Sequence, residues 1–455
     1  MENKTIGQLI RRLTPLALLG ILHCTLLAAV PPPPRPPVPP PPAKPTPTPQ
    51  PTPTPAGALS AAASLGRAIF FDPALSASGR QSCATCHAPA RGYAAPGNQP
   101  TQFGGASLEL QGLRNTPSLM YAHYTPAFSA SGAAQAPGQP ARTGVAAGGF
   151  LLDGRAASLA AQAQLPFTAP FEMANRSSAE VLQRLRTRPY YTQFGQVFGA
   201  AATTSGDAAL AALGRAIAAF ETEDPSFHPF SSKFDAVTRG QAAFSAREAS
   251  GQRLFNDAAK GNCAACHTAT AVAGVPALFT DHSYRALGVP RNFRIVYNRD
   301  DTVLPAFAPA NGINLGAPNH PYYDMGLCGP LRTDLSRNTA LCGQFKVPTL
   351  RNVAIKQTYF HNGVFDRLGD VVGFYATREA DPTRWYRRAD GSPDQRYNDL
   401  PAAYAANVPR GFAPFQPRPT LTAAEVRDVI AFLCTLTDGF DPRNPAAQAV
   451  PAQCL

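Results

Sequence analysis

Two short strings carry the chemistry that is most legible in this chain: CATCH at Cys83–His87 and CAACH at Cys263–His267, 180 residues apart. Two thiols two residues apart, followed at once by an imidazole, have the spacing that attaches a c-type haem. The thiols add to the two vinyl groups, and the next side chain comes under the iron. A dithiol redox motif and a zinc site are the rivals. Either needs the following histidine by accident, twice, and a structural zinc site also needs the two pairs to converge. The reading is two covalent haems c, held by Cys83, Cys86, Cys263 and Cys266, with His87 and His267 as proximal iron ligands. Covalent haem makes the folding of each part depend on the cofactor.

The elements that must hold these motifs repeat as well. LGRAIFFDPALSASGRQSCATCH and GQRLFNDAAKGNCAACH each place an apolar helical stretch and a polar turn before the cysteine pair. Apolar residues recur with helical period in DAALAALGRAIAAFE (207–221) and in LTAAEVRDVIAFLCTL (421–436), where Thr422 and Glu425 form a capping box. No stretch alternates as a sheet core would. The fold class expected is mainly α: two c-type cytochrome domains, each binding one haem, with long irregular loops. The boundaries read as an N-terminal haem domain at 57–235, a C-terminal haem domain at 236–440 and a tail at 441–455. EDPSFHPFSSKFD leads into the junction. The segment 288–345, rich in Gly, Pro and Asn, reads as too polar for core and as a wrapping of the second haem or of the domain interface.

Ahead of these lies a different kind of sequence. Between Pro31 and Pro55, 16 of 25 residues are proline, so residues 31–56 read as a polyproline II spacer, about 3.1 Å per residue and roughly 80 Å at full reach. Residues 1–30 place Arg11 and Arg12 before an apolar run from Leu13 to Val30. That pattern is a secretory signal cut near Ala28 or Ala29, an uncleaved membrane anchor, or a lipidation site at Cys24. All three export the folded part, to the periplasm, soluble or tethered to the inner membrane. In that oxidising place Cys328 with Cys342 and Cys434 with Cys454 are the economical disulfides, with free buried thiols as the alternative. Of the formal charge of +11, residues 1–56 hold +4, leaving +7 for the rest. There is no basic run outside the leader and no nucleic-acid motif, so nucleic acid is excluded as a partner, while a mildly basic surface suits an acidic redox partner.

The strings SCATCH, LRNTPSL, LLDGRAASLAAQAQLPFTAPFEM, CAACH, FKVPTLRNVAIKQTYFHNG and LGDVVGFY resemble the di-haem cytochrome c peroxidase family, and within it the subgroup typified by MauG, over about residues 62–440. The resemblance implies that the N-terminal haem reacts with hydrogen peroxide and that the C-terminal haem stores or passes electrons. It implies a peroxide pocket of Glu172, Gln162 and Pro166, with Glu172 moving a proton between the two peroxide oxygens, as a carboxylate in reach of both can do. Some members carry a histidine in the loop after the first C-x-x-C-H that blocks the first haem until reduction. Residues 88–122 contain none, so the first haem is expected to be open without reductive activation; His123 is a weaker candidate for that ligand. Fourteen residues beyond His361 stands Tyr375, where members place a methionine or, in MauG, a tyrosine as second ligand of the second haem. Tyrosinate favours ferric and higher states; Tyr322, Tyr323 and Met325 are rivals for that place. His361 is implied to shape the second haem pocket, and Asn115, with carbonyls near Lys356 and Thr358, to hold a calcium ion.

One departure stands out. Where the family has a tryptophan between the haems, this chain has Leu152, and its single tryptophan, Trp385, is far off in sequence. The leading expectation is a peroxidase that reduces hydrogen peroxide with electrons from a small redox protein, a cytochrome c or a cupredoxin. The alternatives are a MauG-like enzyme that oxidises side chains of a partner protein, and a non-catalytic di-haem electron carrier. Members are often homodimers.

Overall fold

A computed structural model of the chain describes residues 57–131, 144–272, 274–299 and 322–454. The leader and the proline-rich spacer lie outside the described residues. Among the described residues no helix is long and apolar enough to cross a membrane. The fold is mainly helical, and its named strands are two short antiparallel pairs, Phe103–Gly104 with Leu110–Gln111 and Tyr284–Ala286 with Gln344–Lys346.

Two helical cores are built on the same plan. In the first, Ala61–Phe70 crosses the long helix Gly206–Glu223, and Leu159–Gln164 packs on the same long helix. In the second, Ala246–Asn256 crosses Ala423–Cys434, which also carries Leu368–Thr377. Each crossing depends on one glycine. A Cβ on Gly66 would lie 1.9 Å from the carbonyl oxygen of Ala216, and one on Gly251 would lie 1.9 Å from that of Asp428. Four residues past each glycine a phenylalanine meets a phenylalanine of the crossed helix edge to face, Phe70 with Phe220 at 5.6 Å and Phe255 with Phe432 at 5.2 Å. The helix ends are capped as their sequences require: Ser60, Ser158 and Ser205 accept from the third following amide, and Ser245/Glu248 and Thr422/Glu425 form capping boxes.

The two cores meet where rings of the first, Tyr121 and Phe230, pack on a buried arginine beside the second. Arg351, fully buried, makes a bidentate pair with Asp235, both contacts at 2.9 Å, and its guanidinium lies over the rings of Tyr121, Phe230 and Phe279. Within the second core the amide of Phe234 donates to Thr435 O. The tail folds back: Cys454 is bonded to Cys434, and Leu368 N donates to Gln453 Oε1. Cys328 and Cys342 form the second disulfide, so both pairings expected from the sequence are present.

The flanks of the Gly/Pro/Asn-rich segment correct the reading that it holds no core. Ile295, Tyr297 and Tyr322 are buried with Leu113, and Leu327 is buried with Ala146 and Tyr284. Its polar composition is accommodated by side chains that bond backbone. Arg291 donates to Asn298 O and Tyr322 O, and Asn298 to Asn292 O.

Candidate functional site

The motif Cys83–His87 follows a short helix of its own, Cys83–Cys86, with His87 just past its end. His87 Nδ1 lies 2.9 Å from the carbonyl oxygen of Tyr93, and the carbonyl of Pro117 is also within bonding reach. His267 repeats this: Nδ1 is 2.9 Å from Phe279 O, with Pro348 O nearby. Once Nδ1–H donates to a carbonyl, the tautomer is set and Nε2 is left to bind iron. Burial holds both imidazoles below their ordinary range, that of His87 at about 4, so they are neutral.

A further repeat lies beneath both histidines. Ser118, next to Pro117, donates to Gly92 O, and Thr349, next to Pro348, donates to Leu278 O. In each case the bonded carbonyl belongs to the residue just before the one that holds the histidine. The signal in the sequence is the recurring Pro-Ser/Thr-Leu of NTPSL and KVPTL, which sequence reasoning used only as part of a resemblance.

The thiols of Cys83, Cys86, Cys263 and Cys266 form no disulfide. Burial pushes Cys83 and Cys263 up to about 12 and Cys86 to about 11. Thiols held that far from ionisation are poor dithiol redox catalysts.

Both motifs open on one continuous cavity of about 520 Å³. Its walls include His87, Gln162, Pro166, Glu172, Leu152 and Arg155 from the earlier half of the chain and Cys263, Cys266, His267, Tyr375 and Phe415 from the later half. The helix Leu159–Gln164 brings Gln162 in, and Gly214 lets it approach, since a Cβ there would lie 2.3 Å from Ala160 O. The turn Leu165–Phe167 then places Pro166, and Glu172 follows. Burial raises the Glu172 carboxyl, and Arg155 pulls it back down; the charge of Glu172 in turn reaches Cys86 and Cys83. Tyr375 projects from the helix Leu368–Thr377, its ring stacked with Phe415 at 5.9 Å. Its hydroxyl is raised by burial and by the neighbouring Cys266 and Cys263.

His361 stacks on Phe345 at 3.7 Å and lies 3.2 Å from Asp399 Oδ2, and both aromatics line the cavity. Asn115 is buried, and its Nδ2 donates to Pro100 O and Thr358 Oγ1. Its amide donates to His361 O. Among the described residues no group of three His, Cys, Asp or Glu is arranged to hold a metal ion. His123, Tyr322, Tyr323, Met325 and Trp385 do not line the cavity. His123 packs on Tyr124 and His228, and Trp385 on Phe365 and Phe374.

Two lysines were not anticipated. Lys346 and Lys356 line the cavity, and burial lowers each to about 8. Lys346 Nζ donates to Gly149 O at 2.7 Å and Lys356 Nζ to Thr116 O at 3.5 Å. Neither has a carboxylate in an ion pair among the described residues. A buried ammonium without an anion is costly, and the carboxylates of a haem are the kind of group that would satisfy it. Neutral imidazoles with Nε2 to spare, unionised paired thiols and anion-seeking lysines around one cavity fit two haems c.

The profile of the di-haem cytochrome c peroxidase family matches residues 60–243. The chain is 33% identical over 390 residues to the methylamine utilization protein MauG of Paracoccus denitrificans, covering 83% of this chain and 89% of that one. It is 31% identical to the cytochrome c551 peroxidase of Nitrosomonas europaea, over 68% of this chain and 71% of that one. Among solved structures, the diheme peroxidase BthA from Burkholderia thailandensis superposes with a TM-score of 0.70 at 35% identity, covering 83% of this chain and 86% of that one.

Proposed function

Because the chain belongs to the MauG/di-haem cytochrome c peroxidase family, whose members are haem-dependent oxidoreductases acting with peroxide, we propose that it is a periplasmic di-haem enzyme that consumes hydrogen peroxide at the first haem and draws the electrons, through the second, from oxidisable side chains of a partner protein. The observation that carries this reading is one cavity shared by Glu172 with His87 and by Tyr375 with His267. Haem supplies the iron that binds peroxide and stores the oxidising equivalents.

The chain's own residues do the rest. Glu172, whose carboxyl burial raises and Arg155 lowers, would as a carboxylate take the proton from one oxygen of peroxide and pass it to the leaving oxygen. Gln162 orients the peroxide by hydrogen bonding, and Pro166 with Leu165 narrows the approach for water. Tyr375 would serve as a ligand to the iron held at His267, and as an anionic oxygen donor it would favour the oxidised states that a protein-oxidising enzyme must hold. Lys346 and Lys356 would hold the carboxylates of a bound haem. His361 orders the wall between the sites through Phe345 and Asp399. A calcium ion tying the two haem domains, 57–235 and 236–440, would be held by Asn115 with carbonyls near Lys356 and Thr358; a chelator should then slow the peroxide reaction, and calcium restore it.

Leu152 favours a second reading, reduction of hydrogen peroxide with electrons from a small redox protein, since an aliphatic side chain at that place in the cavity wall cannot be oxidised and would relay no electron. Mixing the fully oxidised, haem-loaded protein with one equivalent of hydrogen peroxide in a stopped-flow spectrometer separates these. Rapid loss of the ferric spectrum without added reductant, and an oxidised state that outlives the peroxide, support the first reading. Reaction only after one electron has been supplied would replace it by the second. Failure in both states would leave an electron carrier and overturn both.

A further inference from the structure

The segment Pro117–Tyr121 starts at the carbonyl beside His87 and ends in a left-handed turn at Tyr121, φ +62°. A bulky residue in that region is strained, and such strain collects at functional places. The turn buries Tyr121 to 2% exposure against the cavity and aims its hydroxyl at Asp438 Oδ2, to which it donates at 2.7 Å, while Phe230 N donates back to it at 3.1 Å. On the other side the Arg351 guanidinium, neutralised by Asp235, lies 5.0 Å from the Tyr121 ring and 6.0 Å from that of Phe279, whose carbonyl holds His267. Tyr121 thus stands between the surroundings of the two proximal histidines.

A row of rings continues outward from it. Phe230 is 4.8 Å from Tyr121, Tyr124 is 5.8 Å from Phe230, His123 is 3.8 Å from Tyr124, and His228 is 4.6 Å from His123. The last three are half-buried and reach the surface.

We propose that Tyr121 and Asp438 form a proton-coupled redox pair that carries oxidising equivalents from the haem cavity to an outlet at Tyr124, His123 and His228. In each passage the Tyr121 phenol gives one electron to the peroxide-oxidised haem centre and its proton to the Asp438 carboxylate; the O–H bond of tyrosine breaks as one forms on Asp438. The neutral phenoxyl is restored by one electron arriving through Tyr124 from an external donor, a reduced redox protein or an oxidisable side chain of a partner, and Asp438 returns the proton.

Tyr121 is the cavity tyrosine suited to this. Burial keeps its phenol protonated at neutral pH, so an electron cannot leave cheaply without the proton, and a carboxylate is there to take it. Tyr359 donates instead to the carbonyls of Val353 and Lys356, which are not bases, and Tyr375 is taken up by its proposed role as an iron ligand. Asp438 is fixed by Ser231 N at 2.9 Å and Asn352 Nδ2 at 2.6 Å, and it is half-buried, so solvent can exchange its proton.

The inference rests on the proposed peroxide reaction, and the test separates the two. Haem-loaded protein is mixed with one equivalent of hydrogen peroxide without donor, freeze-quenched for electron paramagnetic resonance, and digested for peptide mass spectrometry, with the optical spectrum recorded in parallel. The expected result is a tyrosyl signal that narrows with ring-deuterated tyrosine, together with oxidation at Tyr124, His123 and His228. Tyr121→Phe should lose both, and Asp438→Asn should lose most of the signal, each with its haem spectrum still responding to peroxide. Tyr124→Phe should keep the radical and lose the marks on His123 and His228, which tests the outlet without touching the buried pair. An optical response with no tyrosyl signal, or the same signal in Tyr121→Phe, overturns the pair and leaves the proposed function standing. No optical response to peroxide overturns both.

Discussion

Replacing Glu221 by glutamine should flatten the pH dependence of stability. Glu221 lies near the end of the helix Gly206–Glu223, is 3% exposed, and has no hydrogen-bond partner for Oε2 among the described residues. Burial moves its carboxyl from 4.5 to about 8. The folded protein therefore keeps a proton that the unfolded chain has already released. With the folded value raised, the contribution of this group is fully present below pH 4.5 and is lost as pH rises through about 8. At about 1.4 kcal/mol per pH unit, the wild type has given up on the order of 3 kcal/mol by neutral pH. Glutamine has the same shape and no proton to lose. The variant should match the wild type at about pH 5 and exceed it by roughly that amount at neutral pH. Urea unfolding of the haem-loaded protein, followed by circular dichroism across this range, measures the difference directly. If the two proteins show the same slope with pH, Glu221 is charged in the fold and has a partner, and the reasoning from burial is wrong.

Gly66→Ala and Gly251→Ala should each lower the melting temperature and the yield of haem-loaded protein. The new methyl would lie 1.9 Å from a backbone oxygen of a crossing helix, and overpacking of this kind costs about 1–3 kcal/mol or more. Asp235→Asn leaves the guanidinium of Arg351 buried without its anion, and chemical unfolding should show a loss of roughly 3–5 kcal/mol. Asp235 is itself held below its ordinary value by Arg351 against the opposing effect of burial. Its contribution is present at neutral pH and disappears as acid titrates through that lowered value, so the variant should lack this part of the wild type's acid unfolding. Glu172→Gln should leave the optical spectrum of the resting haems unchanged while slowing the peroxide reaction by about 10²–10⁴-fold, the usual worth of a positioned proton carrier; an unchanged stopped-flow rate would remove Glu172 from the mechanism.

What the sequence by itself determined is what is written within a few residues of chain. C-x-x-C-H needs only its own spacing to attach a haem, Thr422 and Glu425 cap a helix within its first turn, and periodic apolar residues mark Gly206–Glu223 and Ala423–Cys434 as packed helices. The disulfides were legible for a related reason: the two pairs span 14 and 20 residues, so few other pairings were open. What only the tertiary structure decided depends on which surfaces meet. Nothing local marks Lys346 and Lys356 as a pair until the strand Gln344–Lys346 and the chain after it are packed beside the cavity, where desolvation lowers them. His123 could have been a ligand on sequence alone, yet its ring is spent on Tyr124 and His228. Tyr121 and Asp438 are 317 residues apart, and no local pattern ties a tyrosine to a carboxylate over that distance. Their pairing exists only where the two cores are packed, with Arg351 over the Tyr121 ring and the phenol donating to Asp438.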